Sequence, residues 1–111
     1  SLMYAVIRNL VENSVKYAGK GTEIHIEASR YVDHLELKYY DNGAGVSESQ
    51  LGRIFERFYS IPGKTGNTEG SGLGLSIVKN AVAFHNGTIY ASIRKEGGLL
   101  FDMKFYRFLR S

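Results

Sequence analysis

The sequence predicts an α+β fold: a two-layer α/β sandwich with helices covering one face of a mixed, mostly antiparallel sheet. Two observations carry this reading. Helical and strand-like periodicities follow one another as helix, two strands, short helix, loop, helix, two strands, with each strand pair close enough to be a hairpin. The 111 residues are 43% hydrophobic and 23% charged, which suits one domain with one core and excludes disorder. A third feature, glycine, asks for a local explanation. There are 13 glycines against one proline, and Gly43, Gly45, Gly52, Gly63, Gly66, Gly70, Gly72 and Gly74 crowd into the middle of the chain.

The first element spans residues 2–18, where Ile7, Val11 and Val15 recur at i, i+4, i+8 as an apolar helical stripe and Gly19 and Gly21 supply stop signals. Glu23 to Ala28 alternates polar and apolar residues, as a half-buried strand does, and His34 to Tyr40 repeats the pattern after a hairpin at 31–33. Asp41-Asn42-Gly43-Ala44-Gly45 is a glycine turn. Ser47 and Gln50 form a capping-box pair that opens a short helix through about Arg57. Residues 60–72 have no periodicity and hold the lone proline, so they read as a binding loop or lid that reaches back to about residue 56. Leu73 to His85 is helical, with Leu73, Ile77 and Ala81 in series and Asn86-Gly87 closing it. Thr88–Arg94 and Leu99–Tyr106 are the last strands, joined around Glu96-Gly97-Gly98.

Composition removes several function classes. With no cysteine there is no disulfide scaffold, thiolate zinc site or cysteine nucleophile. The net charge of +3 comes from 14 basic and 11 acidic residues interspersed along the chain, so no basic arm suggests nucleic acid. No apolar run reaches the roughly 20 residues that span a bilayer. The opening Ser1-Leu2-Met3-Tyr4 runs directly into the first helical pattern, which reads as no signal peptide.

Three constellations carry chemistry. Asn9, Asn13, Lys16 and Tyr17 share one side of the first helix, where carboxamide oxygens are hard ligands suited to Mg²⁺ and an ammonium suits phosphate. An ordinary wet helix face has the same look. Asp41, at a strand end, is an acceptor for an exocyclic amine, and Gly43 and Gly45 let backbone approach a ligand. Gly70-Ser71-Gly72-Leu73-Gly74-Leu75 runs straight into a helix and exposes N–H donors to an anion. Its spacing is neither a dinucleotide fingerprint nor a Walker motif. Phe55 and Phe58 read as core, and Arg57 and Lys64 as lid cations for a triphosphate tail.

Taken together, Asn9-Leu-Val-Glu-Asn13-Ser-Val-Lys16-Tyr17, Asp41-Asn-Gly43-Ala-Gly45, Phe55-Glu-Arg-Phe58 and Gly70-Ser-Gly72-Leu-Gly74-Leu75 resemble the N, G1, F and G2 boxes of sensor histidine kinases. The resemblance covers nearly the whole chain. It implies the catalytic, ATP-binding domain of the GHKL superfamily, with the Bergerat sandwich as its fold and ATP and Mg²⁺ as its cofactors. It further implies that Asn13 ligates Mg²⁺ with Asn9 in support, that Lys16 contacts phosphate, and that Tyr17 lies against adenine. Asp41 would accept from the adenine amino group, with Gly43 and Gly45 in the base pocket. The backbone of Gly72, Leu73 and Gly74 would wrap the phosphates, with Gly70 and Leu75 of the same motif also binding the nucleotide. Asn9 stands where hydrolytic members carry a glutamate base, which points to transfer onto another protein. Ser60 replaces a frequent arginine, so Arg57 or Lys64 would serve the γ-phosphate; Leu99 replaces a frequent threonine near the adenine. None of His25, His34 or His85 sits in a phosphoacceptor pattern.

The expectation is therefore a single domain over 1–111 whose acceptor histidine lies on a separate dimerisation domain of the same parent kinase. A response regulator would act downstream. The placement expected is cytoplasmic, in a membrane-anchored parent, without nucleic-acid or membrane contact by this domain. The alternatives are a degenerate nucleotide sensor and an anti-sigma-type serine kinase of the same superfamily.

Overall fold

A computed structural model of the chain describes residues 2–17, 19, 21–56 and 74–107, the side chains of Leu2 and Tyr17 excepted. Helix α1 is Leu2–Tyr17, strand β1 Ile24–Arg30 and strand β2 His34–Asp41. Helix α2 is Glu48–Leu51, helix α3 Gly74–Phe84, and strands β3 and β4 are Gly87–Ile93 and Leu99–Tyr106. The four strands form one sheet in the order β1-β2-β4-β3, and all three pairings are antiparallel.

Strand alternation builds the two layers. Along β4, Leu99, Phe101 and Met103 are buried while Leu100, Asp102 and Lys104 alternate onto the other face. The buried set joins Tyr39 of β2, Val6 and Leu10 of α1, and Val78, Ala81 and Val82 of α3 in one core. Each large apolar side chain sequestered there contributes about 1.5–3 kcal/mol of transfer free energy. Phe101 is its aromatic hub, tilted against Tyr39 at 6.2 Å and edge-on to Phe55 at 6.1 Å.

Both helices turn a different stripe to the sheet from the one the spacing suggests. On α1 the buried positions are Val6, Leu10 and Ser14, whereas Val15 is 72% exposed. Ile7 and Val11 are only half-buried at the edge of this stripe. On α3, Leu75, Val78 and Val82 are buried beside Ala81, and Ile77 faces outward. Leu73 and Phe58 lie outside the described residues.

Strand β1 is not half-buried: apart from Ile24 its residues are exposed, because it is an edge strand. The capping box on Ser47 forms, with Gln50 N donating to Ser47 Oγ at 3.3 Å and Ser47 N to Gln50 Oε1 at 3.1 Å. The helix it opens ends after one turn at Gly52, and irregular turns follow, so it stops short of Arg57. Asn86 adopts the left-handed conformation (φ 61°) expected of an asparagine closing a helix. Among the described residues no helix is long and apolar enough to cross a membrane.

Candidate nucleotide site

Strand β2 ends in Asp41, a residue only 3% exposed. An isolated buried carboxylate is costly, and this one is satisfied from three directions. Its Oδ2 accepts the Ser14 hydroxyl at 2.9 Å. Its Oδ1 accepts Gly43 N–H at 3.1 Å and Leu99 N–H at 3.3 Å. Three separate pieces of chain thus fix one side chain: α1, the turn after β2, and the start of β4.

Ser14 is itself in a chain of hydroxyls. Tyr39 Oη lies 2.9 Å from Ser14 Oγ and 3.1 Å from the Leu10 carbonyl oxygen, which it donates to. Burial pushes the Tyr39 phenol above its ordinary pKa; the Ser14 hydrogen bond pulls the other way and the Asp41 charge adds to the rise. The phenol therefore stays protonated at neutral pH and remains a donor.

The turn after Asp41 is held from below. Gly45 has φ +70°, and a Cβ there would stand 3.3 Å from the Gly98 carbonyl oxygen. Gly98, at φ +90°, presses so closely on Asp41 that a Cβ would sit 2.5 Å from its Oδ1 and 2.7 Å from its carbonyl carbon. Arg94 clips the two segments together: one guanidinium nitrogen donates to Asp41 O at 2.8 Å and to Gly97 O at 3.0 Å, with the group 4.6 Å over the Tyr40 ring. Asn42 is tied to the start of β1, accepting Glu23 N–H at 2.8 Å on its side chain.

On the neighbouring wall, Asn9, Asn13 and Lys16 are half-buried along α1. Asn9 Nδ2 donates to Ala5 O at 2.7 Å, which leaves the amide oxygen turned toward α3. A Cβ on Gly74 would lie 3.3 Å from that oxygen. The first residue of α3 and the asparagine stripe thus meet, and Leu75 behind Gly74 is buried in the core.

Asn9, Asn13, Lys16, Asp41, Gly43, Gly45, Gly74 and Leu75 are therefore described. Of these, the structure joins Asp41 to Gly43 directly and Asn9 to Gly74. Arg57, Lys64, Gly70, Gly72, Leu73 and the Tyr17 side chain lie outside the described residues. At the opposite end of β2 an open cleft of about 850 Å³ is lined by Arg30, Tyr31, Leu35, Phe105 and Arg107 among others. None of the candidate nucleotide-site residues lines it.

Sequence reasoning missed Ser14, Tyr39, Arg94 and Gly98. The one signal available was the register of Ser14 with Val6 and Leu10, a hydroxyl placed where a buried stripe continues. Gly97-Gly98 read as a hairpin bend and nothing more.

The family model described as "Histidine kinase-, DNA gyrase B-, and HSP90-like ATPase" matches residues 1–107. The chain belongs to that ATPase family. It is 39% identical over 100 residues to the sensor histidine kinase YvrG of Bacillus subtilis (strain 168), covering 90% of this chain and 17% of YvrG. The mycobacterial sensor histidine kinase MprB superposes with a TM-score of 0.81 at 24% identity, over 95% of this chain and 72% of that one, a likeness of fold. The catalytic domain of the histidine kinase ThkA superposes with a TM-score of 0.78 at 25% identity, over 96% of this chain and 66% of that one. The expected sandwich is thus the fold of this ATPase family, and ATP is the family's nucleotide. The chain spans less than a quarter of the length of the curated relatives it matches.

Proposed function

We propose that this chain is the ATP-binding catalytic domain of a two-component sensor histidine kinase. The observation that carries the reading is the Asp41 carboxylate, buried, anchored by three donors, and flanked by the close backbone of Gly45 and Gly98. Such a carboxylate accepts from the amino group of an adenine, and the glycines let the backbone close tightly around it. Gly43 shapes the turn through its N–H.

In this reading Asn13 ligates Mg²⁺ with Asn9 beside it, and Lys16 neutralises phosphate charge. The donors fit a hard cation that keeps water and nucleotide oxygens in its shell: Asn9 offers a neutral amide oxygen whose N–H₂ is already engaged. The magnesium ion, when bound, offsets charge on the triphosphate. Tyr17 lies on the base, while Gly70, Gly72, Leu73, Gly74 and Leu75 bring α3 and its N-terminal amides to the phosphates. Arg57 and Lys64 are the candidate cations of a lid over about 56–72.

The γ-phosphoryl group passes to a histidine ring nitrogen on a dimerisation domain of the parent kinase, a P–N bond forming as the P–O bond to ADP breaks. A response regulator receives it downstream. The transfer requires positioning and charge neutralisation more than a resident base. The parent is membrane-anchored and this domain cytoplasmic.

Calorimetric titration with a non-hydrolysable ATP analogue, with and without Mg²⁺, tests the binding half. Saturable binding that weakens in Asn13→Ala only when Mg²⁺ is present is expected; no binding refutes it. Labelled ATP with the parent's dimerisation domain tests the transfer half, where an acid-labile product marks phosphohistidine. An acid-stable product would favour a serine kinase, and binding without transfer a nucleotide sensor.

A further inference from the structure

Ser14 is the one polar residue in the stripe that α1 buries against the sheet, at 1% exposure beside Val6 and Leu10. Its hydroxyl proton goes to Asp41 Oδ2, and Tyr39 Oη lies 2.9 Å from the same oxygen. An ionised carboxylate only accepts hydrogen bonds, and has about four lone-pair sites. In Asp41, Ser14 fills one and the Gly43 and Leu99 N–H groups fill two more. One acceptor site is left.

The two donors on Oδ1 are backbone and belong to the turn and the sheet. The donor on Oδ2 is a side chain, so it is the adjustable part of the arrangement. Tyr39 closes off the other side of Ser14: its phenol donates to Leu10 O and lies 2.9 Å from Ser14 Oγ, so that oxygen sits between Tyr39 and Asp41.

Resting on the nucleotide-binding reading above, we propose that Ser14, backed by Tyr39, is the positioning residue that sets base selectivity at Asp41. It fixes the carboxylate so that the remaining acceptor site takes a donor from the base, which selects a 6-aminopurine over a 6-oxopurine. A 6-oxo group would set two acceptors against each other in a buried, water-poor site, where an unpaired polar atom is costly. Without the Ser14 hydroxyl, Oδ2 has two open acceptor sites, so the direction from which it accepts is no longer single.

The test measures dissociation constants for ADP and IDP on the 111-residue chain by calorimetry, with thermal unfolding as a folding check. The variants are Ser14→Ala, Ser14→Cys and Ser14→Thr. Wild type is expected to prefer ADP. Ser14→Ala should weaken ADP binding roughly tenfold while changing IDP binding less than about twofold, so the selectivity ratio collapses. Ser14→Cys, close in size but with a weak S–H donor, should lose several-fold of the ratio and decides the matter if the alanine variant does not fold. Ser14→Thr keeps the hydroxyl and should restore the ratio.

A purely structural role would weaken ADP and IDP in parallel; that result overturns the proposal, as does an unchanged ratio in the alanine and cysteine variants. A wild type that binds both equally also overturns it. A wild type that binds no ADP refutes the nucleotide reading itself, which separates the two failures.

Discussion

Replacing Gly98 by alanine places two separable penalties on one residue. The first is conformational: at φ +90° an L side chain is strained, at a cost of order 1–3 kcal/mol. The second is steric, because the new Cβ meets the Asp41 carbonyl group and lies 2.5 Å from its Oδ1. Those atoms are backbone or belong to a carboxylate held by three donors, so they cannot swing aside as a flexible side chain would. Overpacking of this kind costs about 1–3 kcal/mol. The sum, about 2–6 kcal/mol, is a large part of the 5–15 kcal/mol that stabilises an ordinary domain. At about 4 °C per kcal/mol for a domain near this size, the midpoint should fall by about 8–24 °C. Two other glycines divide the effect. Gly21, at φ +80° with nothing within 4 Å of a Cβ, should show strain alone, about 1–2 kcal/mol. Gly52, at φ −69° with open space around it, should be neutral or gain up to about 1 kcal/mol. Urea unfolding of the three alanine variants is the assay. Equal losses in Gly98→Ala and Gly21→Ala would show that the clash does not exist and would remove the close packing of the β3–β4 bend on Asp41.

Other substitutions probe the same frame. Arg94→Lys should lose nearly as much stability as Arg94→Ala, about 1–2 kcal/mol, because an ammonium cannot reproduce both the shared donation to Asp41 O and Gly97 O and the planar contact with Tyr40; full rescue by lysine in chemical denaturation would contradict this. Asp102 has a raised pKa, chiefly through burial and then through Glu36, and its Oδ1 is buried without a partner. A carboxyl whose folded pKa is raised binds its proton more tightly in the folded state, so it lowers stability above that pKa and the loss is relieved as pH falls through it toward the ordinary carboxylate range. Asp102→Asn should therefore stabilise the domain at neutral pH by up to about 1 kcal/mol and flatten that part of the pH profile; an unchanged profile would refute the assignment. Ser47→Ala removes one half of a capping box and should cost about 0.5–2 kcal/mol in thermal unfolding without altering nucleotide affinity.

The existence and order of the elements were legible because each has its own local period, and the Leu99–Tyr106 strand matches residue for residue. Which face each helix buries was not. Ile7, Val11 and Val15 make a cleaner apolar series than Val6, Leu10 and Ser14, and only the sheet below decides between them. A serine belongs in the buried series because Asp41 and Tyr39 meet it there, partners 27 and 25 residues away. The exposure of β1 likewise depends on its place at the sheet edge, which no local pattern encodes. The short helix was overextended because Ile54 and Phe55 prolong the helical spacing. Gly52, without an evident role in the sequence, is the cap that ends it.

The site residues divide along the same line. The asparagine stripe on α1 and the glycine run before α3 are contiguous in sequence, so their chemistry is visible as motifs. The acceptor at Asp41 is assembled from α1, β2 and β4, and its geometry exists only when the sandwich is closed. Asp41 and Ser14 are almost fully buried, whereas Asn13 and Lys16 are half-buried. If Asp41 binds the base as proposed, changes around it should disturb folding and base recognition together, since the same hydrogen bonds would serve both. Changes at Asn13 or Lys16 remove groups that the core does not depend on, and should weaken binding with little effect on stability. In the proposed function the base end of the site would be part of the core, and the phosphate end would be carried on its surface.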